Sequence, residues 1–132
     1  MTLVGGSGRL DEWEIFVTDE VRGWITSLDD PSHRLVVQAI DILAERGPAL
    51  GRPLADRVEH SSVQNLKELR PGSAGRSELR VLFVFDPWRS AILLVAGDKS
   101  GNWRQWYRDA IPRAEHLLEI YLKERAEAEG GR

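Results

Sequence analysis

The sequence predicts an α+β protein built from an antiparallel sheet with two helices before its main strands and one helix after them. A helical pattern of apolar residues covers residues 19–46, three β-rich runs fill residues 63–97, and helical spacing returns from residue 103. Helices segregated from strands along the chain, here in the order β-α-α-β-β-β-α, are typical of this class. We expect the helices to pack on one face of the sheet and to leave a partly open, concave face.

The N-terminal half contains one strand and two helices. Residues 13–17 form a short strand, and Thr18 can cap the helix that follows. The apolar residues of that helix recur at i, i+3, i+4 and i+7: Val21, Trp24, Ile25 and Leu28. Asp30 as N-cap and Pro31 at the first helical position begin a second helix, which Gly47 and Pro48 end.

The C-terminal half contains the main sheet. Residues 47–62, rich in Gly and Pro, predict a loop, and an antiparallel meander follows over residues 63–70, 78–86 and 90–97. In its middle strand, one set of side chains faces the core: Leu79, Val81, Phe83 and Phe85. The alternating set faces the open side: Arg80, Leu82, Val84 and Asp86.

A last helix carries an apolar stripe from Ile111 to Leu122, and Pro112 is expected to interrupt or restart its first turns. The length of 132 residues predicts one domain over residues 13–125. A flexible lead-in over residues 1–12 and a frayed tail over residues 126–132 complete the expected organisation.

The composition excludes several classes of protein. The chain has no cysteine, so it has no disulfide scaffold, and its three scattered histidines predict no metal site. It lacks the phosphate-binding and dinucleotide-binding glycine motifs, and we expect no cofactor. No apolar run is long enough to span a membrane and no signal-peptide pattern is present, so we expect a cytoplasmic protein.

The net charge of −3 conceals a basic middle region. Residues 67–108 carry eight basic and four acidic side chains, whereas residues 1–66 carry six and eleven and residues 109–132 carry four and six. A local positive region between acidic flanks favours a site for an anion, such as the phosphates of RNA. Solvated strand edges that favour Lys and Arg are the alternative explanation.

The meander brings part of this basic region together with groups that can move protons. Cleavage of RNA by its own 2′-hydroxyl needs a base, cations that stabilise the phosphorane, and an acid, but no metal ion. Glu68 is the candidate base, or Lys99 with a lowered pKa. The phosphate-binding candidates are arginines, because the guanidinium group fits phosphate with two hydrogen bonds: Arg70, Arg76 and Arg80. The alternative is that Glu68 forms a cross-strand ion pair of small value.

Basic and aromatic residues around these candidates could hold RNA by charge and by stacking on splayed bases. The candidate RNA-binding residues are Lys67, Arg76, Trp103, Arg104, Trp106 and Arg108. The alternative is that Trp103, Trp106 and Tyr107 pack the last helix onto the sheet.

Four segments, taken in order, resemble the RelE/ParE toxin superfamily and most closely its HigB-like, phage-derived group. They are LKELRPG (66–72), GRSELRVLFVFDP (75–87), AILLVAGDKSGNW (91–103) and WYRDAIPRAEHLLEIYL (106–122). The resemblance implies a RelE-like fold and a metal-independent mRNA interferase that acts on mRNA in the ribosomal A site. Carried over by position, it points to Lys67, Glu68, Arg70, Arg80, Lys99 and Tyr107.

The resemblance also implies a cognate antitoxin, often with a helix-turn-helix domain, with which the toxin represses its own promoter. Three functions remain open. The first is a ribosome-dependent endoribonuclease, the second a non-catalytic protein that binds a helix-turn-helix partner in transcriptional control, and the third a ParE-type toxin that acts on DNA gyrase. The basic cluster favours the first.

Overall fold

The computed structural model describes residues 2–3 and 12–130, which form an α+β fold, as predicted. In this described part of the chain, a six-stranded sheet combines with three α-helices, and a short 3-10 turn (Gly47–Ala49) follows the second helix. The strands are β1 (Thr2–Leu3), β2 (Glu14–Val17), β3 (Ala55–Arg57), β4 (Lys67–Leu69), β5 (Leu79–Phe85) and β6 (Ser90–Asp98), and the helices are α1 (Asp19–Ser27), α2 (Asp30–Arg46) and α3 (Trp103–Gly130). Within the described ranges, none of the helices has the length and apolar character needed to cross a membrane.

The strands lie in the order β1-β2-β6-β5-β4-β3. β4, β5 and β6 form the predicted antiparallel meander, and β2 runs parallel to β6. Two short strands were not predicted. β1 lies in the lead-in, of which residues 1 and 4–11 are outside the described part of the chain, and β3 lies in the segment predicted as a loop. Strands of two or three residues are too short to show alternation, so only their pairing reveals them.

β4 is also shorter than the strand predicted over residues 63–70. Asn65 has a left-handed backbone, with φ of +67°, which cannot continue an extended strand. The chain therefore becomes extended only from Lys67 onward. This places Glu68 at the centre of a three-residue strand between β3 and β5.

Helices cover both faces of the sheet, so the expectation that all of them pack on one face is wrong. α1 and α2 pack on the face that carries Val81 and Phe83, the predicted core face. α3 packs on the opposite face, against Leu82 and Val84. Burying apolar side chains on that face stabilises the fold by about 25 cal/mol for every Å² removed from water. A helix on that face is therefore favourable. Glu68, on the same face, lines a pocket described below.

α3 is one continuous helix through Pro112, where an interruption was predicted. Proline removes the backbone hydrogen bond to the carbonyl of Arg108, but Pro112 is exposed, so water can solvate that carbonyl. Ala110 and Ala114 on either side are buried against the sheet and hold both halves in line. The helix continues to Gly130, into the segment predicted as a frayed tail. Fraying there stays a prediction, and residues 131–132 lie outside the described range.

The helix ends follow capping rules, with one correction. Thr18 caps α1 as predicted: its Oγ1 accepts a hydrogen bond from Val21 N at 3.2 Å and donates one to Leu94 O at 2.9 Å. α2 begins one residue earlier than predicted. Its N-cap is Asp29 rather than Asp30, because Asp29 Oδ1 accepts the hydrogen bond from the backbone N–H of residue 32, at 2.8 Å.

Candidate active site

Four of the predicted catalytic residues meet at the carboxylate of Glu68, a β4 residue that is only 4% exposed. The Tyr107 hydroxyl lies 2.7 Å from each carboxylate oxygen and donates its hydrogen bond to them. The Nε atoms of Arg70 and Arg80 lie 3.5 and 3.4 Å from Glu68 Oε2. A phenol from α3 and two guanidinium groups, one from β5 and one from the residue that follows β4, therefore surround one buried carboxylate.

Strand alternation explains why these side chains share one face. Glu68 and Arg70 are two residues apart and point to the same side of the sheet. Glu68 pairs with Leu82 of β5, and Arg80 lies two residues before Leu82 on the same side. α3 packs on this side, and Tyr107 lies in its second turn. The site is thus a direct product of the meander and of the helix that covers it.

The two arginines form ion pairs with Glu68, but their Nε groups do not form hydrogen bonds with it. Burying a carboxylate costs several kcal/mol unless it is paired, and Arg70 and Arg80 supply that pairing at ion-pair distance. The Nε groups of both arginines are nevertheless buried and make no hydrogen bond of good geometry. The attraction between these two N–H groups and Glu68 is therefore one of charge and not of well-formed hydrogen bonds.

Two pKa shifts describe the electrostatics of the cluster. Burial raises the pKa of Tyr107 well above its ordinary value, and the hydrogen bond to Glu68 and its negative charge add to the rise, so the phenol stays protonated at neutral pH. On β3, a hydrogen bond from the backbone N–H of residue 57 lowers the pKa of Asp56, and the neighbouring charges of Arg52 and Arg70 lower it further. Alternating charges therefore run from the edge strand into the site.

An ammonium group and two further aromatic rings surround Tyr107. Lys99 Nζ lies 5.3 Å from the centroid of the Tyr107 ring, and the Trp106 ring meets it edge-on at 5.1 Å. The Trp103 ring lies 6.4 Å from Tyr107 and is half exposed, with the Arg104 guanidinium 4.6 Å from its centroid. Trp103 thus presents an aromatic face to solvent, whereas Trp106 packs on the core beneath α3.

A groove opens beside this cluster. One pocket of about 330 Å³ is lined by Glu68, Tyr107, Trp103 and His60 among others. A second pocket, of about 400 Å³, shares the last three of these residues and extends along α3 past Arg108. We call these two adjoining pockets the groove. Pockets of a few hundred Å³ are the usual size for binding a small molecule or one unit of a polymer.

Three of the predicted RNA-binding residues line neither pocket of the groove: Trp106, which packs on the core as described above, Lys67 and Arg76. Lys67 points to the opposite face of the sheet, where its Nζ lies 5.5 Å from the centroid of the Phe85 ring. Arg76 is exposed in the loop between β4 and β5. Arg108 does line the groove, where it is exposed and donates a long hydrogen bond of 3.4 Å to Gln105.

Two residues at the site were missed by the sequence reasoning. Asp56 lies opposite Glu68 in the pairing of β3 with β4, and Arg70 Nη2 lies 3.3 Å from its Oδ2. His60 lies in the loop between these strands, with a left-handed backbone of φ +65°. Neither had a signal in the sequence, because β3 was not recognised and the path of the loop after it depends on tertiary contacts.

The cluster offers groups that bind anions and move protons. In the part of the chain that the structure describes, no three side chains of the His, Cys, Asp or Glu type are arranged to hold a metal ion. A phenol and two guanidinium groups lie around Glu68, and an ammonium group lies over the ring of that phenol. Together with the carboxylate, these are the groups that general acid–base catalysis on a phosphate requires.

Comparison with known proteins identifies the family. Residues 23–119 match the family described as Phage derived protein Gp49-like. A Mycobacterium tuberculosis protein named "Putative toxin HigB2" is 50% identical over 104 residues, which are 79% of this chain and 52% of that protein, so the chain spans about half of its length. Another, named "Putative toxin HigB3", is 46% identical over 108 residues, which are 82% of this chain and 92% of that protein. These matches confirm the resemblance to the HigB-like group, and the chain belongs to the Gp49-like family of phage-derived proteins.

Proposed function

We propose that this protein is the toxin of a type II toxin–antitoxin module and that it acts as an endoribonuclease on mRNA at the ribosome. The names of its two relatives support the first part. The observation that carries the second part is the buried Glu68 carboxylate, bonded by Tyr107 and flanked by two arginines, beside a groove with a half-exposed tryptophan. These groups suit cleavage of RNA by its own 2′-hydroxyl.

Arg70 and Arg80 bind the scissile phosphate in this proposal. Their side chains are 34% and 15% exposed, and the guanidinium fork matches phosphate oxygens. A phosphate bound by these guanidinium groups lies beside Glu68, whose Oε2 is 3.5 and 3.4 Å from the Nε atoms of Arg70 and Arg80. The carboxylate is therefore placed to act on the 2′-hydroxyl next to this phosphate.

The reaction is a transesterification. Glu68 takes the proton of the 2′-hydroxyl as the bond from O2′ to phosphorus forms. The ammonium of Lys99 protonates the 5′ oxygen as the bond from phosphorus to O5′ breaks, which leaves a 2′,3′-cyclic phosphate and a 5′-hydroxyl. Tyr107, which keeps its proton, donates a hydrogen bond and orients Glu68. Trp103 offers a stacking surface for a neighbouring base.

Controlled expression in a bacterial host, with primer extension on a reporter mRNA, tests the proposal. The wild type should stop growth and leave discrete cuts in the reading frame. Arg80→Ala should reduce cutting by about 100-fold or more, the usual effect of losing one group that stabilises charge in a transition state. Arg34→Ala is the matched control, because Arg34 is exposed on α2, on the other side of the sheet, and this variant should cut like the wild type.

Each other outcome overturns either the ribonuclease or the site assigned to it. Growth arrest with intact mRNA would leave a toxin with another target, such as DNA gyrase. Normal growth with a folded protein, verified by its thermal melting, would leave a non-catalytic binding protein. Equal cutting by Arg80→Ala and Arg34→Ala would place the active site elsewhere.

The module requires an antitoxin, and we propose a partner with a helix-turn-helix domain. Co-expression with the product of the neighbouring gene should restore growth, and the two proteins should purify together in a fixed ratio. Growth that stays arrested despite such a complex would show that binding does not neutralise the toxin.

A further inference from the structure

The segment between β3 and β4 lies along α3 as a strap, defined here as residues 58–65. A hydrogen bond from Val58 N to Leu66 O, at 2.9 Å, closes its base. Its middle is attached to Glu115 of α3, whose Oε2 accepts hydrogen bonds from Ser61 Oγ at 2.8 Å, Ser62 Oγ at 2.7 Å and Ser62 N at 2.6 Å. One carboxylate oxygen therefore fixes the strap to the helix that carries Tyr107.

The strap places His60 at the groove. His60 lines both pockets of the groove, as Trp103 does. Its backbone has φ of +65°, a conformation that glycine adopts freely and other residues rarely adopt. If residue 60 only closed a turn, glycine would be the better residue. A side chain that persists in a strained conformation at the wall of a pocket points to a role for that side chain.

We infer that the strap determines base specificity: His60 and Trp103 form a slot for one base of single-stranded RNA, and Glu115 positions the strap. This inference rests on the proposed function. The slot adjoins Glu68 and Tyr107, so its occupant is the base next to the cleaved phosphate. The half-exposed Trp103 ring is a stacking surface for a flat base.

The charges around the slot fit the backbone of the same nucleotide chain. Arg57 lines the slot beside Glu68, and Arg104 and Arg108 line its continuation along α3. Three carboxylates line the two pockets: Glu68 is engaged by its arginines and Glu115 by the serines of the strap, while Glu59 is exposed, so three arginines face one unengaged carboxylate. The cations at the rim are therefore placed to attract the phosphates that flank the bound base.

The variants His60→Gly and Asn65→Gly form a matched pair. Asn65 has the same kind of backbone, with φ of +67°, at the other end of the strap, but it lines neither pocket of the groove. Both replacements relieve the same strain, so both should keep or raise the melting temperature. Only His60→Gly should change the base preference of cutting.

The preference is measured by primer extension on four reporters that differ only in the base at the cut. The wild type should cut the best reporter about tenfold or more faster than the worst, and His60→Gly should reduce that ratio to about threefold or less. Asn65→Gly should keep the wild-type ratio. Glu115→Ala should reduce the ratio as much as His60→Gly does. Glu115→Gln keeps an acceptor oxygen for the serines and should therefore show the wild-type ratio.

The results separate this inference from the proposed function. Cutting with the same base preference in the wild type and in His60→Gly overturns the slot and leaves the ribonuclease intact. If the wild type cuts no reporter, the proposed ribonuclease activity is wrong. Binding of 2′-O-methyl trinucleotides of each base then tests whether the slot exists. A preference for one trinucleotide that His60→Gly abolishes supports the slot, whereas equal binding or no binding overturns it.

Discussion

Gly97 shows how closely the residues of the candidate site are packed. It pairs with Arg80 across β5 and β6, and a Cβ atom at this position would lie 2.5 Å from Nε1 of Trp106. Trp106 in turn packs edge-on against Tyr107, whose hydroxyl bonds Glu68. Because residue 97 has no side chain, the Trp106 ring can lie on the sheet, where it packs against Tyr107.

Gly97→Ala should lower both the stability and the proposed cleavage activity. The added methyl group overlaps a rigid ring rather than the end of a flexible side chain, so we expect a loss of about 1–3 kcal/mol in the free energy of unfolding. Thermal melting and the reporter assay measure the two effects. Gly23→Ala is the control, because Gly23 lies inside α1 with no atom within 4 Å of the added Cβ, and it should gain about 1 kcal/mol. An unchanged melting temperature for Gly97→Ala would mean that Trp106 is not held where the structure has it.

At the scale of the elements, helices and strands with a periodic pattern of apolar residues were predicted from the sequence. Short strands that are defined only by their pairing with a neighbouring strand were not. The caps and apolar spacing of α1 and α2 were sufficient, and so was the alternation of β5. β3 has three residues and exists only because β4 lies beside it. Glu68, Arg70, Arg80 and Tyr107 were found because alternation on two strands, together with the family resemblance, points to them. The strap was not, because its path depends on hydrogen bonds to Glu115.

The sequences of β5 and β6 contain a signal for the position of α3. The middle of β5 and most of β6 are buried on both faces, and their sequences read as nearly continuous apolar runs. Such runs are typical of strands covered on both sides, whereas a half-open sheet shows apolar and polar residues in alternation. The strands themselves thus indicated a helix on each face, although only the structure shows which helix lies where.

Pro112→Ala should stabilise α3. Because the helix is continuous through residue 112, alanine can donate the hydrogen bond to the carbonyl of Arg108 that proline cannot. Proline inside a helix destabilises it by about 3 kcal/mol relative to alanine. Alanine also makes the unfolded chain more flexible, which lowers the free energy of unfolding by about 1 kcal/mol, so a net gain remains. The melting temperature should therefore rise, while His116→Ala, an exposed change one turn later, should leave it nearly unchanged. A fall for Pro112→Ala would mean that the helix has a break at this residue after all.

In the whole molecule, α3 is attached to the sheet by two pairs of a tyrosine and a carboxylate. Near the start of the helix, Tyr107 donates to Glu68 of β4. Fourteen residues further along the helix, the buried Tyr121 donates to Asp86, which follows β5. Asp86 Oδ1 also accepts hydrogen bonds from the backbone N–H groups of residues 88 and 90, at 2.9 and 2.8 Å, in the hairpin between β5 and β6. The helix is thus joined to two distant parts of the sheet by the same chemical device.

This device predicts a loss of stability at alkaline pH. Burial raises the pKa of both tyrosines above the ordinary value of 10.0, and the hydrogen bonds and negative charges of Glu68 and Asp86 add to the rise. A group whose pKa is raised by folding contributes stability that is complete below its unfolded pKa and is lost as the pH rises toward its folded pKa. The melting temperature should therefore begin to fall above pH 10, where the unfolded chain can ionise its tyrosines and the folded protein cannot.

Thermal melting across this pH range tests the prediction, and the chain has only two tyrosines, so the ultraviolet absorbance of tyrosinate reports on these two alone. Tyr107→Phe and Tyr121→Phe should each lower the melting temperature at neutral pH, since a buried carboxylate loses a donor worth about 1 kcal/mol or more. Each should also decline less steeply above pH 10 than the wild type does, and the double variant least of all. A double variant that declines as steeply as the wild type would show that other groups set the alkaline limit and that ionisation of these two hydroxyls does not release α3 from the sheet.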